Sequence, residues 1–216
     1  MEDTMSFMLA GLVGFALAAA CGMRVFAPLA ILSIASHFGW IALGGGFSWL
    51  GSTPAMVCFV AACVIEAVGM LVPVIDHALD VAAAPVAAVA GTLVMATQLA
   101  TSSGVDTSIV PPWATWALAA VVGGGVATGV HFASAAVRAG STASTGGILN
   151  PIYSLLETAA SMVVAVLAVV VPILAVILAF VVVAGIVVAA WVFYRVLKNA
   201  KAKVMGGSIQ GTPARA

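Results

Sequence analysis

Charged side chains are scarce in this chain, and their scarcity decides what kind of fold it can adopt. The 216 residues include seven basic and seven acidic side chains, while 64% of the residues are hydrophobic. About a quarter of the residues in a soluble domain are charged. A charge at the centre of a bilayer costs about 2.5–3.5 kcal/mol on insertion scales. The composition therefore predicts an integral membrane protein in which any charge at membrane depth needs a partner or a function.

Long apolar runs predict an all-α polytopic membrane helical bundle with about seven membrane segments, within bounds of about six to eight set by the chain length. Glycine and proline interrupt the runs, so some segments are expected to be broken or re-entrant. The predicted segments are Met5–Cys21, Val25–Leu43, Pro54–Val72, Val86–Ala100, Trp113–Val130, Ile152–Val171 and Ile173–Tyr194. A short stretch, Val74–Ala84, is expected to be closed by Pro85, and loops are predicted at Thr101–Val110 and Ala139–Gly147. Residues 1–204 are predicted to form a single transmembrane domain, and residues 205–216 a flexible cytoplasmic tail.

The last apolar run leaves two alternatives open. No charged residue lies between Ala159 and Tyr194, and one straight helix of that length would be about 54 Å long, against a hydrocarbon core of about 30 Å. Either the chain folds back near Pro172 to form a hairpin, or it forms one long, tilted and kinked helix.

The remaining composition limits partners and location. The formal net charge is zero, which argues against a nucleic acid partner. Cys21, Cys58 and Cys63 lie in apolar surroundings and are interpreted as small hydrophobic residues, not as a disulfide or zinc framework. The expected partners are the lipid bilayer and an unidentified small molecule or ion. No cofactor is expected. A homo-oligomer is possible, and the sequence does not decide the oligomeric state. The expected location is the cell inner membrane.

Glu66 is the first candidate for a functional residue. It lies about 18 Å along a helix that begins at Pro54, which is close to the middle of the membrane. It could carry a proton or a cation, or it could form a structural hydrogen bond or ion pair between helices.

A second group has the pattern Asp-His-x-x-Asp, formed by Asp76, His77 and Asp80. On a helix these residues share a face, so they could bind a divalent metal or pass a proton. Alternatively, they are the solvated start of an interfacial helix, where acidic residues suit the helix dipole.

Four further residues flank one predicted loop. His131 and Arg138 lie seven residues apart, as do Asn150 and Glu157, so each pair shares a helical face. Arg24 follows a glycine break and could neutralise Glu66 or Glu157, or bind an anionic substrate. All five could also be ordinary helix-end or snorkelling residues.

Several motifs of this chain resemble an uncharacterised bacterial membrane family, domain of unknown function 4126. The motifs include residues 18–28 (AAACGMRVFAP), residues 50–54 (LGSTP), Ile75-Asp76-His77 with Asp80, residues 141–147 (STASTGG), and Asn150-Pro151 followed by Ser154-Leu155-Leu156-Glu157. The resemblance implies a polytopic inner-membrane protein and assigns no activity. It also implies charged residues at places where this chain has none, namely after Glu66, near Ser134 and at Thr158.

These observations together predict a small transporter or channel with a polar intramembrane site, with proton coupling through Glu66 or Glu157 as an option. The alternatives are a non-transporting membrane scaffold whose buried charges fix helix packing, and a membrane enzyme acting on lipid. An enzyme is the less favoured class, because nucleophile, nucleotide and cysteine-metal motifs are missing from the sequence.

The C-terminus is predicted to face the cytoplasm, because Arg195, Lys198, Lys201 and Lys203 form the basic cluster of the chain and such clusters stay on the cytoplasmic side. A reporter enzyme that is active only in the periplasm should be silent when fused after Lys203. Strong periplasmic activity of that fusion would overturn the orientation.

Overall fold

Helices account for the regular structure of this protein. The structure, a computed structural model, describes residues 2–44, 46–69, 73–101 and 111–209, and within these it contains seven helices and no strand. The helices are α1 (Glu2–Met23), α2 (Phe26–His37), α3 (Thr53–Gly69), α4 (Pro73–Thr101), α5 (Pro112–Thr145), α6 (Asn150–Val170) and α7 (Pro172–Ile209), and a 3-10 turn (Ser48–Gly51) precedes α3. Helix α7 thus extends into the predicted C-terminal tail, and residues 210–216 lie outside the described residues.

Five of the described helices are long and apolar enough to cross a bilayer. The spans are Thr4–Met23, Ala82–Thr101, Pro112–Thr145, Asn150–Val170 and Pro172–Arg195. Helices α2 and α3 are also apolar but have only 12 and 17 residues. The predicted class, an all-helical multi-pass membrane protein, is therefore confirmed, whereas the number of crossing segments stays a prediction.

The chain breaks between α1 and α2 at Arg24 and Val25, shortly after Gly22. Helix α2 covers about 18 Å, less than the hydrocarbon thickness of about 30 Å. It ends at His37, earlier than the predicted Leu43, because the chain turns at Gly39 with a φ of 72°. Since Arg24 is 1% exposed, the break lies inside the bundle and not at its surface.

Helix α4 corrects one predicted boundary. Pro85 was expected to separate two segments, but α4 continues through it as one helix. Proline removes one backbone hydrogen bond from a helix, and membrane helices tolerate this where neighbouring groups satisfy the freed carbonyl. The predicted end of the third segment at Val72 and most of the loop Thr101–Val110 lie outside the described residues.

Helix α5 corrects a second boundary, because the predicted loop Ala139–Gly147 is helical as far as Thr145. Its three parts are the α-helical Pro112–Leu118, a π-helical segment Ala119–Gly124 and the α-helical Gly125–Thr145. The hydroxyl groups that suggested a loop instead donate to carbonyl oxygens four residues earlier: Thr142 to Arg138 at 3.0 Å, Ser144 to Gly140 at 2.9 Å and Thr145 to Ser141 at 2.8 Å. The helix then ends at Gly146, which is left-handed with a φ of 66°.

The last apolar run forms a helical hairpin. Helix α6 ends at Val170, Val171 has a non-helical ψ of 79°, and α7 begins at Pro172. The two helices pack along each other and both contact α1. Phe193, near the end of the α7 span, lies against Gly140, close to the turn that precedes α6. The chain therefore folds back at Val171, which decides between the two alternatives left open by the sequence.

Helix α1 lies at the centre of the bundle and contacts α4, α5, α6 and α7. Its residues Ala16–Cys21, which are small apart from Leu17, are almost completely buried. Small residues also permit close contact between α4 and α5, where Gly91 meets Gly123 of the π-helical segment backbone to backbone. Membrane helices associate through such close packing, because apolar residues gain little by leaving lipid.

The Gly91–Gly123 contact predicts a local intolerance of side chains. A methyl group at Gly123 would collide with the carbonyl oxygen of Gly91, which cannot move aside as a flexible side chain would. Gly123→Ala should therefore lower the free energy of unfolding by about 1–3 kcal/mol. Gly129→Ala on the same helix is the control, because nothing lies within 4 Å of that position. Thermal unfolding in detergent that affected both variants equally would contradict this contact.

Candidate functional site

Arg24 sits at the helix break and reaches across to α6. Its Nε donates a hydrogen bond to Thr158 Oγ1 at 2.8 Å. Its Nη2 donates to the Ser154 carbonyl oxygen at 2.8 Å and to Ser154 Oγ at 2.6 Å. The same nitrogen lies 3.6 Å from Glu157 Oε2. The guanidinium group thus ties the end of α1 to the second turn of α6.

Glu157 lies between two guanidinium groups. Arg138 Nη1 of α5 donates to Glu157 Oε2 at 2.6 Å, and Arg24 approaches the same oxygen from α1. The exposed fractions are 1% for Arg24, 5% for Arg138 and 3% for Glu157. These three residues form the buried charge cluster, which joins three helices. Of the two partners proposed for Arg24, Glu157 is the one that the structure places in ion-pair contact.

Glu66 has a different role in the local structure, because it caps α2. Its Oε1 accepts a hydrogen bond from the Val25 backbone N–H at 2.9 Å, and its Oε2 accepts one from the Phe26 backbone N–H at 3.1 Å. The first backbone N–H groups of a helix have no partner within the helix, and a negative charge there suits the helix dipole. Glu66 therefore lies beside the buried charge cluster and stabilises the backbone next to Arg24.

Two other predicted candidates occupy neighbouring positions. His131 is buried on α5, with its ring edge-on to Phe132 at a centroid distance of 6.0 Å. The Asn150 Nδ2 donates to Thr142 Oγ1 at 2.8 Å, so its side chain bridges to the end of α5 instead of capping α6. The side chains of Asp76, His77 and Asp80 lie outside the described residues, although their backbone belongs to α4.

Sequence reasoning did not select the hydroxyl groups around the buried charge cluster. Ser154 and Thr158 bind Arg24, and Ser161 Oγ donates to the Ala20 carbonyl oxygen at 3.0 Å. With Glu157, these residues lie on one face of α6, at spacings of three, four and seven residues. This helical spacing was the feature of the sequence that could have identified these hydroxyl residues. Thr158 and the buried Ser134 also occupy two of the places where the family resemblance implies charges.

The described residues contain no group of three or more His, Cys, Asp or Glu side chains placed to hold a metal ion. The buried charge cluster and Glu66 can form ion pairs, hold a charged group in position or transfer a proton. Two guanidinium groups hold one carboxylate, and a second carboxylate is held by backbone N–H groups within the same region of the bundle.

The fold and the buried charge cluster define a multi-pass, all-helical membrane protein. The sequence belongs to the family described as domain of unknown function (DUF4126), whose profile matches residues 12–195. This match includes every candidate residue named above and confirms the resemblance based on the motifs. No curated protein and no solved structure matches the chain.

The geometry of the buried charge cluster predicts unequal coupling of the two arginines to Glu157. Removing one partner of a buried ion pair destabilises a protein by about 3–5 kcal/mol, so Arg138→Met and Glu157→Gln should each lower the unfolding free energy strongly. The combined variant should lose less than the sum, with a coupling of about 1–3 kcal/mol.

The corresponding cycle with Arg24→Met should give a smaller coupling, because Arg24 lies 3.6 Å from the carboxylate and has other partners on α6. Unfolding in mixed detergent micelles measures both cycles. Lys198→Met, at an exposed position of α7, is the control and should change the stability by less than about 0.5 kcal/mol. A larger coupling for Arg24 than for Arg138 would contradict the observed geometry.

Proposed function

We propose that this protein is a small membrane transporter or channel that moves protons, alone or with another small ion, past Glu157. The observation that carries the proposal is the burial of Arg24, Arg138 and Glu157 together at a helix break within a bundle of membrane helices. Ionisable side chains at such depth commonly mark ion pathways and proton relays.

The broken helix supports the same proposal. Non-helical backbone at membrane depth is tolerated where it is buried in protein or lines a cavity, and transporters commonly form their sites from discontinuous helices. Here the break between α1 and α2 brings a guanidinium group, a capped helix N-terminus and a carboxylate into one region. Within the described residues of this region, Glu66 and Glu157 supply carboxyl groups that can take up and release a proton.

A cavity next to Glu66 gives this carboxyl group space on its other side. The cavity has a volume of about 190 Å³ and lies between α2, α3 and α4. Its lining is apolar apart from Glu66, with Phe26, Ile65 and Val86 among the lining residues. A carboxyl group that borders a cavity can be reached by a small ion or solute, whereas one sealed in packing cannot.

The orientation proposed from the basic tail fits this arrangement. Phe193 lies against Gly140, so the residues that follow Phe193, among them Arg195, leave the bundle at the end where α5 stops and α6 starts. With the C-terminus in the cytoplasm of an inner membrane, the turn at Gly146 also faces the cytoplasm.

The alternative is a scaffold in which the charges only hold helices together. One observation favours it: Arg24 ties α1 to α6, Arg138 ties α5 to α6, and Glu66 ties α3 to the start of α2. These contacts would explain the burial of all four charges without any transport.

Proton flux into proteoliposomes distinguishes the two functions. Vesicles loaded with the pH-sensitive dye pyranine, and clamped electrically with valinomycin and potassium, should acidify faster with the protein than without it after an external pH drop. Glu157→Gln should abolish the additional flux, because an amide cannot carry a proton. Lys198→Met should retain it.

Proton transport would be contradicted if vesicles with the wild-type protein acidified no faster than protein-free vesicles, also when gradients of sodium, potassium, chloride and phosphate were imposed. The scaffold function would then be favoured. A flux that Glu157→Gln left unchanged would exclude Glu157 as the carrier.

A further inference from the structure

The facing sides of α5 and α6 contain polar atoms that the described residues leave without a hydrogen-bond partner. These buried atoms are Ser134 Oγ and Ser141 Oγ on α5, and Asn150 Oδ1, Tyr153 Oη and Glu157 Oε1 on α6. Ser134 is 0% exposed and Ser141 is 5% exposed. A buried donor or acceptor without a partner costs about 1–3 kcal/mol, so five such atoms in one interface require an explanation.

The five atoms follow one continuous seam. On α5, Ser134, Arg138 and Ser141 are spaced by four and three residues and therefore share a face. On α6, Asn150, Tyr153 and Glu157 have the same type of spacing. The two faces meet, because Arg138 binds Glu157 and Asn150 binds Thr142.

Tyr153 lies in the middle of this seam. Its hydroxyl group faces the Ser134 hydroxyl group and the Glu157 carboxylate, without a hydrogen bond of ordinary geometry to either. This hydroxyl therefore lies close to the buried carboxylate, whereas Ser141 and Asn150 lie nearer the end of α5. The polar atoms are therefore spread along the seam and not gathered at one point.

The seam has one open and one closed end. At the outer end lies the turn of residues 146–149, where Gly146, Ile148 and Leu149 are exposed and Asn150 is half-buried. At the inner end Ser161 is satisfied by the Ala20 carbonyl oxygen, and Val164 and Ala165 beyond it are completely buried. Among the described residues of this interface, the polar atoms without partners thus extend from the turn to Glu157 and, on α5, one helical turn beyond Arg138 to Ser134.

We propose that the α5–α6 seam holds a file of water molecules that connects Glu157 with the aqueous phase at the turn of residues 146–149. Water fits this set of atoms because it donates to the carboxylate and amide oxygens and accepts from the hydroxyl groups. Buried waters typically bind such otherwise unsatisfied groups. The presence of the water file does not depend on the proposed function; only its use for proton transfer rests on that function.

The charges along the seam define what it can carry. Arg24 and Arg138 flank Glu157 and repel sodium and potassium ions, as fixed arginines do in other selective pores. A proton passes along water and hydroxyl groups without the passage of a metal cation. The seam therefore supplies Glu157 with protons from one side of the membrane, and release to the other side requires a different route.

Hydroxyl-radical labelling tests the water file, because radicals generated from water oxidise side chains that contact water, including buried water. Ser134→Cys and Ser141→Cys place a reactive sulfur at the two unsatisfied positions of α5 with little change in volume. In the protein in detergent, both introduced thiols should be oxidised several times faster than the native Cys21, which is buried in the apolar core. Mass spectrometry of peptides gives each rate.

Ala136→Cys is the matched control on α5, because it lies between the two serines in sequence but faces outward. Its oxidation measures access from the detergent side. Rates at both serine positions as slow as that of Cys21 would overturn the water file, whatever the flux measurements give. Fast oxidation in a protein without proton flux would support the water file and reject its use in transport.

A second measurement keeps the test valid if a cysteine variant fails to fold. In the unaltered protein, Tyr153 should be oxidised faster than Met23 and Met95, which are buried in the apolar core, although methionine is intrinsically more reactive than tyrosine. A slower rate for Tyr153 than for both methionines would overturn the water file.

Discussion

The fold depends on the requirement that polar groups within a membrane find partners inside the protein. The break between α1 and α2 exposes backbone N–H groups and places a guanidinium group in the interior. Glu66 of α3 satisfies the N–H groups, and Ser154 and Thr158 of α6 satisfy Arg24. Glu157 then draws in Arg138 of α5. One interruption of a helix thereby determines how α2, α3, α5 and α6 are placed around α1.

Composition and apolar runs were sufficient to predict the class of fold, because a chain with so few charges has no soluble alternative. They also identified Arg24 and Glu157 as partners, although with Glu66 as an equal choice. That choice was not decidable from sequence, since the groups that Glu66 binds are backbone N–H groups of Val25 and Phe26. The predicted loop at Ala139–Gly147 was wrong as far as Thr145, because the serine and threonine hydroxyl groups donate to carbonyl oxygens of the preceding turn and the helix continues.

The positions where the family resemblance implies charges that this chain lacks bear directly on the candidate site. Thr158 hydrogen-bonds Arg24, and Ser134 is one of the unsatisfied residues of the seam. A carboxylate in place of Thr158 would give Arg24 a stronger partner than a hydroxyl group, and a lysine near Ser134 would add a positive charge beside Tyr153. In this chain neutral hydroxyl groups stand there instead, and Arg24 and Arg138 share the carboxylate of Glu157.

The pairing of α1 with α6 also constrains how the protein is made. Arg24 and Thr158 are separated by 134 positions in the chain, and ribosomes add about 5–20 residues per second. Helix α1 therefore enters the membrane roughly ten seconds before the helix that will satisfy its arginine exists. The location of Arg24 at the end of α1 makes this delay tolerable, because a long side chain at a helix end can extend toward the headgroups. Assembly of the bundle would then draw the guanidinium group inward, making the docking of α6 a late step in biogenesis.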